Sequence, residues 1–247
     1  MRARWTVCEK PRTMTEKIGI IGAMKVEIAT IVAQLEDHRE TMVAGSDFHE
    51  GLLDGRPVVV ARCGVGKVNA AMCTQIVIGR FGATQVINTG VAGALDPTLD
   101  IGDLVISTDA VQYDMVVTGL GYEPGVIPEL GVLAFTASEE LRDVIHQAAR
   151  EVLPDITIVD GRVASGDRFV CDRDENRRIA ETFDASCCEM EGAAIAQVCD
   201  RNQVPFVIVR TISDKADGTS ITEYDLNEAQ TAHRCAAIVT RALQLYR

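Results

Sequence analysis

Short apolar strands alternate with helical segments along almost the whole chain, and this alternation constrains the fold more than any other feature. KIGIIG (17–22) and PFVIVRTISD (205–214) predict buried strands, and TQVIN and ITIVDGRVAS predict two more. Segments with helical periodicity lie between them, for example at 138–152. Strands that are apolar throughout need helices on both faces of their sheet. The pattern therefore predicts an α/β fold with a covered central sheet.

Composition narrows the class of protein further. The 247 residues, 47% of them hydrophobic, are enough for one large core. The net charge of −12, without a basic block, argues against nucleic acid polymers and anionic membranes as partners. Eight cysteines without a C-x-x-C pair indicate reduced, buried thiols in a cytoplasmic protein. The four histidines are scattered without ligand spacing, which makes a zinc site a poor alternative.

The N-terminal segment differs from the rest of the chain. Residues 1–13, MRARWTVCEKPRT, are basic and lack the apolar region of a signal peptide. We expect them to be a disordered extension, with Met14 as a plausible true start and 14–247 as one domain. No apolar run reaches the length of a membrane span.

Two glycine-rich segments suggest phosphate binding but lack the required residues. GIIGAM does not have the G-x-G-x-x-G spacing of a dinucleotide loop. CGVGKVNAA ends like a P-loop, but Ala61 stands in the first glycine position and Val68 replaces the serine or threonine that binds magnesium. Neither segment predicts a nucleotide phosphate site.

Three acidic residues lie at the ends of predicted strands. Glu27 follows GIIGAM by one helical turn, Asp214 ends the most apolar strand, and Glu191 follows Met190 at a strand-to-helix junction. Each alone has an ordinary explanation, such as a cap, a surface charge or a favourable charge at a helix N-terminus. Together they suit metal-free cleavage of a glycosidic bond, which needs a general acid and a carboxylate that activates water. Apolar surroundings would help to keep Asp214 protonated for the first role.

Several ordered motifs resemble one enzyme family. IGIIGAM..E, GVGKVNAA, NTGVAGAL, SGD.F, EMEGAAIA and VRTISDKAD follow one another from about Lys17. In this order they resemble the 5'-methylthioadenosine/S-adenosylhomocysteine nucleosidases, of the purine nucleoside phosphorylase-like superfamily. The resemblance implies a three-layer αβα sandwich with a central mixed β-sheet, and a homodimer. It also implies hydrolysis of the adenine–ribose bond in these two nucleosides, as in methionine salvage, without metal or organic cofactor.

The resemblance also implies roles for individual residues. Glu27 is similar to the residue that positions or activates water, and Asp214 to the acid that protonates adenine N7. Glu191 is similar to the ligand of the ribose hydroxyls. The other expected substrate-binding residues are Phe169, which stacks on the purine, Val170, whose backbone meets the adenine edge, and Met24, Val65, Val91, Met190 and Ser213.

Some positions need separate expectations. We expect Glu189 to be structural and paired with Arg210, and we expect it to point to a different side from Glu191. Val91 stands where many relatives have serine, and Arg168 is bulkier than usual. Val117 and Leu120 are expected to line the pocket of a partner chain. Leu120 stands where many relatives have phenylalanine, so the preferred 5'-substituent stays open.

Three alternatives remain beside this hydrolase. They are hydrolysis of a related nucleoside such as a futalosine-type intermediate, a nucleoside phosphorylase of the same fold, and a non-catalytic nucleoside-binding protein. Glu27 in the first loop disfavours the phosphorylase, because a carboxylate repels phosphate. The presence of all three carboxylates disfavours the binding protein.

Overall fold

The computed structural model describes residues 16–217 and 220–246. The described strands are β1 (Ile18–Gly22), β2 (Glu36–Val43), β3 (Ser46–Leu53), β4 (Arg56–Arg62), β5 (Gln85–Ala94), β6 (Leu104–Gln112), β7 (Ala134–Thr136), β8 (Ile158–Ser165), β9 (Ala185–Glu189) and β10 (Phe206–Asp214). The helices are α1 (Lys25–Val32), α2 (Lys67–Gly79), α3 (Glu139–Val152), α4 (Arg173–Phe183), α5 (Gly192–Asn202) and α6 (Ser220–Leu245). The expected N-terminal extension, residues 1–13, lies outside the described residues.

All ten described strands join one sheet. The sheet is mixed, as predicted. Its order is β10-β6-β8-β9-β5-β1-β4-β3-β2, with β7 on β6. Strand β10 also pairs with β5, in parallel, so the path β10-β6-β8-β9-β5 closes on itself. Strands β1, β5 and β10 run parallel, and their carboxyl ends therefore meet at one edge. This is the edge at which sheets of this kind place their ligands.

Helices cover both faces of the sheet. One cluster of buried side chains joins the sheet to α1, α3 and α6 and includes Ile28, Ile145 and Val239. A second cluster joins it to α2 and α5 and includes Val77 and Ile195. Every residue of β10 is buried, as expected for a strand covered on both faces. The predicted three-layer sandwich is confirmed.

The structure corrects three sequence-based assignments. Apolar periodicity in MKVEIATIVAQL predicts a first helix that reaches Leu35, but the helix ends at Val32. The unpredicted strand β2 follows it as a largely exposed edge strand that pairs with β3. Its sequence EDHRETMV lacks an apolar face, which is why periodicity did not reveal it. The apolar residues of YDMVVTG (113–119) predict a further strand, but this segment is a turn followed by a 3₁₀ turn, Thr118–Leu120. The glycines of GVAGA (90–94) predict a loop after the strand TQVIN, but this segment continues strand β5.

The cysteines follow the prediction with one exception. Six of the seven described cysteines are buried, and all seven are free thiols; the exposed one is Cys171. Among the described helices, none combines the length and apolar character that crossing a bilayer requires.

Candidate active site

A cavity of about 220 Å³ opens at the carboxyl ends of β1, β5 and β10. Nine predicted site residues line it: Met24, Glu27, Val65, Val91, Phe169, Met190, Glu191, Ser213 and Asp214. Val170 is buried beside a small adjoining recess that Phe169 and Asp214 also line. The cavity therefore brings together residues from positions 24 to 214. It is also lined by residues that were not predicted as binding residues: Ala23, Ala92, Gly93, Cys188, Glu189 and Tyr224.

Glu27 lies in the first turn of α1 and is held by backbone donors. Its Oε2 accepts hydrogen bonds from the amides of Ala23, at 2.6 Å, and Met24, at 2.9 Å. Its Oε1 accepts one from the amide of Val91 at 3.2 Å. Burial raises the pKa of Glu27, and the charge of Arg210 together with these amides offsets only part of that effect. A carboxylate whose pKa is raised in this way is better matched to accepting a proton near neutral pH.

Glu189 and Arg210 form a buried ion pair, as predicted. The guanidinium Nη2 of Arg210 donates to Glu189 Oε2 and also to Asn88 Oδ1, at 2.7 Å. Glu189 Oε1 accepts a hydrogen bond from Ser165 Oγ, and Glu189 also accepts the amide of Gly192 at 2.8 Å. Both carboxylate oxygens of Glu189 therefore accept hydrogen bonds from other groups of the protein. This supports a structural role for Glu189.

Glu191 is the N-cap residue of α5. Its Oε1 accepts the amide of Gly66 at 2.8 Å, and its Oε2 lies 3.9 Å from Arg210 Nη2. The expectation that Glu189 and Glu191 point to different sides is wrong, because both reach Arg210. Glu189 ends strand β9 and Glu191 caps helix α5, so the turn through Met190 brings both carboxylates toward Arg210.

The balance of charge in this region is negative. The buried cation Arg210 faces three buried glutamates, Glu27, Glu189 and Glu191. Burial, followed by the charge of Glu189, raises the pKa of Glu191 to about 8. Gly90 permits this packing, since a Cβ there would collide with Glu27 and Arg210. This close approach explains why a glycine interrupts the apolar strand β5.

Asp214 ends strand β10 and is 2% exposed. Its Oδ1 accepts the amide of Ala216 at 2.9 Å, and Ser213 Oγ donates to its Oδ2 at 2.8 Å. The hydroxyl of Ser213 also lies 3.3 Å from the carbonyl of Ala92. A serine between a carboxyl group and a carbonyl can reorient its single proton, so this site can accommodate both the ionised and the protonated form of Asp214.

Buried acids and more exposed side chains form two distinct parts of the cavity. We call Glu27, Glu189, Glu191 and Asp214 the carboxylate wall, and Met24, Phe169 and Tyr224 the outer rim. Phe169 is 42% exposed, and its ring meets that of Tyr224 edge to face, with centroids 5.6 Å apart. The hydroxyl of Tyr224 lies 3.2 Å from Met24 Sδ. Tyr224 was missed because its segment, ITEYDLNE, is polar and stands far along the chain from the other motifs.

Two predicted residues lie away from this cavity. Val117 is half-buried and Leu120 is 76% exposed, beside the 3₁₀ turn Thr118–Leu120. Neither lines the cavity of its own chain. Within the described ranges, no three His, Cys, Asp or Glu side chains are arranged to hold a metal ion.

Known proteins resemble the chain over nearly its whole length. The model of the phosphorylase superfamily matches residues 17–244. The 5'-methylthioadenosine/S-adenosylhomocysteine nucleosidase of Shewanella frigidimarina is 40% identical over 229 residues, which are 92% of this chain and 99% of that protein.

Two solved structures share the fold. The nucleosidase of the same name from Neisseria meningitidis, in complex with methylthio-immucillin-A, has a TM-score of 0.90 at 35% identity and covers 93% of this chain and 99% of its own. The futalosine hydrolase of Helicobacter pylori has a TM-score of 0.89 at 33% identity and covers 94% of this chain and 98% of its own.

The fold and the extent of these matches define a member of the phosphorylase superfamily. Within that superfamily, the chain belongs to the 5'-methylthioadenosine/S-adenosylhomocysteine nucleosidase family, since relatives of that name match almost end to end. The predicted enzyme class, an N-glycosyl hydrolase that acts on nucleosides, is thereby confirmed.

Proposed function

We propose that the protein hydrolyses the N-glycosidic bond of 5'-methylthioadenosine and S-adenosylhomocysteine, releasing adenine and the 5-thioribose product. The observation that carries this proposal is the convergence of Glu27, Glu191 and Asp214 on one cavity with Phe169 at its rim. Relatives named for these substrates support it. We further propose a role for this reaction in methionine salvage and in the recycling of S-adenosylmethionine by-products.

Each carboxylate has a separate role in the proposed reaction. Protonated Asp214 gives its proton to adenine N7, and the bond between the ribose carbon and adenine breaks with its electron pair going to the base. Glu27 orients a water molecule that adds to the ribose carbon, and Glu27 takes the proton that the water loses. Glu191 binds the ribose hydroxyls, and its ionised form favours the cationic sugar of the transition state.

Water rather than phosphate is the proposed nucleophile because of the charge on the cavity wall. Among the described residues that line the cavity, four are acidic and none is lysine or arginine. The buried guanidinium behind this wall, Arg210, is engaged by Glu189. A phosphate dianion beside Glu27 would meet strong repulsion in so buried a site. This argument disfavours a phosphorylase.

The deciding experiment measures adenine release with and without inorganic phosphate. We expect equal rates in both conditions and free 5-methylthioribose as the product from 5'-methylthioadenosine. Assays with S-adenosylhomocysteine and 5'-deoxyadenosine show how much the 5'-substituent contributes. A ribose 1-phosphate product would establish a phosphorylase and overturn the proposal.

A futalosine-type nucleoside is the second candidate substrate. The observation that favours it is the futalosine hydrolase of Helicobacter pylori, whose structure has nearly the same TM-score as that of the nucleosidase. The same carboxylate wall serves either substrate, because both reactions break a bond between ribose and a base. Competition between the two nucleosides in one assay identifies the preferred one by its larger kcat/KM.

We infer that the enzyme is a homodimer in which Val117 and Leu120 face the partner's pocket. The supporting observation is an exposed apolar surface near them, since Val116 is 57% and Leu120 is 76% exposed. Leu120→Asp should weaken dimerisation and activity together, because it would bury an unpaired charge. Sedimentation that shows a fully active monomer at assay concentration would contradict this inference.

A further inference from the structure

The carboxyl group of Asp214 depends on the loop that follows it. The amide of Ala216 donates to Asp214 Oδ1 at 2.9 Å. Ala216 is fully buried, and its φ of 49° lies in the left-handed region, which is unfavourable for a residue with a Cβ. A side chain keeps such a conformation only where its surroundings hold it in place.

Strand β5 supports one side of this loop. A Cβ added to Gly93 would lie 2.8 Å from the Cβ of Ala216 and 3.0 Å from Asp214 Oδ1. The loop therefore packs directly on the backbone of Gly93. Contact on this side limits how close the loop can come, but it does not stop the loop from moving away.

Asn176 of helix α4 supports the other side. Its Nδ2 lies 3.0 Å from the carbonyl oxygen of Ala94, 3.1 Å from that of Lys215 and 3.2 Å from that of Ala216. An amide group has two N–H donors on one nitrogen, so it can serve several converging carbonyls at once. The three acceptors also determine the orientation of the amide, because its oxygen in this place would face carbonyl oxygens.

Helix α4 gives Asn176 a fixed position. Asp172 caps the helix by accepting the amides of Asp174 and Glu175, and Ile179 and Phe183, which lie on the same face as Asn176, are buried. Asn176 is half-buried one turn from this cap, so little movement of its side chain is available. Hydrogen bonds from Asn176 thus connect the packed helix α4 to the end of β5 and to the loop that carries the Ala216 amide.

We propose that Asn176 is a positioning residue for Asp214, holding the strained loop at 215–216 so that the amide of Ala216 orients the Asp214 carboxyl group. This inference rests on the proposed role of Asp214 as the acid that protonates adenine. Asn176 itself does not line the cavity, so its effect on the reaction must pass through the loop.

Two substitutions of Asn176 test the proposal against one control. Asn176→Asp keeps the shape but sets carboxylate oxygens against three carbonyls, and Asn176→Ala removes the donor. Both should lower kcat for methylthioadenosine, by roughly 10- to 100-fold, because small displacements of a catalytic group have effects of this size. KM should change less than about threefold, since the binding contacts remain. Thr182→Ala, on the exposed face of the same helix, should leave both constants unchanged.

A second substrate separates positioning from general loss of structure. For a nitrophenyl riboside, whose leaving group departs without protonation, Asn176→Asp and Asn176→Ala should lose less than about threefold in kcat. Combined with Asp214→Asn, either substitution should add little further loss, as expected for residues that act as a unit. Circular dichroism and thermal unfolding identify the folded variant, and Asn176→Ala decides the question if Asn176→Asp does not fold.

The possible outcomes are distinct. A wild-type kcat in Asn176→Ala, or equal losses on both substrates, would overturn the proposal for Asn176. A failure of the proposed acid would show itself separately, as equal losses on both substrates in the single variant Asp214→Asn. The role of Asn176 can therefore fail while the role of Asp214 stands.

Discussion

The carboxylate wall and the outer rim of the cavity differ in how they are held. Glu27, Glu189, Glu191 and Asp214 are each at most 8% exposed and accept hydrogen bonds from backbone amides. Phe169 and Tyr224 of the rim, by contrast, meet each other edge to face and are partly open to solvent. The wall is fixed by many directional bonds, whereas the rim is fixed by a few weak contacts.

This difference separates two tasks of a nucleosidase. Groups that transfer protons or stabilise charge need exact placement, because their contribution depends strongly on distance and direction. Groups that cover an apolar substituent act mainly by removing it from water, and this contribution depends little on direction. We therefore expect changes in the wall to reduce kcat, and changes in the rim to alter KM and the choice of 5'-substituent.

The largest effect is expected from the acid of the wall. Adenine leaves poorly as an anion, so its N7 must receive a proton or a strong hydrogen bond while the bond breaks. Asp214→Asn keeps the shape and a donor but has no proton to transfer. General acid catalysis contributes typically 10²–10⁴-fold, so kcat for methylthioadenosine should fall by about that factor. Steady-state kinetics at saturating substrate measures this loss.

A nitrophenyl riboside serves as the control substrate for this variant. Its leaving group departs without protonation, so the loss in Asp214→Asn should be much smaller. Equal losses on both substrates would show that Asp214 positions the substrate or supports the fold, and that the proton comes from another group.

The next effect concerns the cation behind the wall. Arg210→Met should lower the free energy of unfolding by about 3–5 kcal/mol, because it leaves buried glutamates without their counter-ion. Arg162→Met is a matched control, since Arg162 pairs with Asp109 at 2.7 Å in a half-buried position. The free energy of unfolding should fall less in Arg162→Met, because water can solvate the Asp109 carboxylate that loses its partner at this partly exposed position. Denaturant unfolding of both variants gives the comparison, and equal losses would contradict it.

The sequence predicted the wall better than the rim for a physical reason. Wall residues lie at the ends of strands or at the start of the helix that follows, and a strand end is visible in sequence because the apolar run stops at a charge, as it does at Asp214. Neighbouring parallel strands then bring such ends together. The pairing of Glu189 with Arg210 could be predicted in the same way, since a buried charge requires a partner.

Other features depend on contacts that are distant in sequence. Tyr224 reaches the rim through the start of α6, and its polar neighbours carry no sign of a pocket. The glycines of β5 are typical of a loop when only the sequence is considered, although Gly90 and Gly93 are needed because other groups approach the strand closely. Strand β2 has no apolar face and exists through pairing with β3. Propensity and periodicity contain none of this information.

The ribose-binding carboxylate gives an intermediate effect. Glu191→Gln keeps the shape but cannot ionise, and the ionised carboxylate of Glu191 is most useful when the sugar becomes cationic. The loss should therefore appear in kcat, by roughly 10- to 100-fold, as expected for a hydrogen bond to a charged group worth about 1.5–3 kcal/mol. Kinetic constants for methylthioadenosine test this. An unchanged kcat with a raised KM would show that Glu191 binds the ground state and the transition state equally.

The same residue should make stability depend on pH. Its folded-state pKa of about 8 lies above the ordinary value of 4.5, so the folded state holds a proton that the unfolded state releases between these values. The contribution of Glu191 to the free energy of unfolding is therefore fully present below about pH 4.5, and it is lost as the pH rises through about 8. Glu191→Gln should therefore show a flatter fall of Tm between pH 5 and 8, measured without ligand. An identical pH dependence in both proteins would refute this assignment.

The smallest effect is expected at the rim. Tyr224→Phe removes a hydroxyl that lies 3.2 Å from Met24 Sδ and 3.1 Å from Glu228 Oε1, while the ring and its edge contact with Phe169 remain. Sulfur is a weak acceptor and the site is partly open to water, so the loss should be at the low end of about 0.5–1.5 kcal/mol. KM for methylthioadenosine should rise less than about threefold with kcat unchanged, because the rim does not touch the bond that breaks.

Tyr224→Ala, which also removes the ring, should raise KM further and change the ratio of kcat/KM between methylthioadenosine and S-adenosylhomocysteine. A tenfold lower kcat in Tyr224→Phe at saturating substrate would place the hydroxyl in the chemical step and end the distinction between wall and rim.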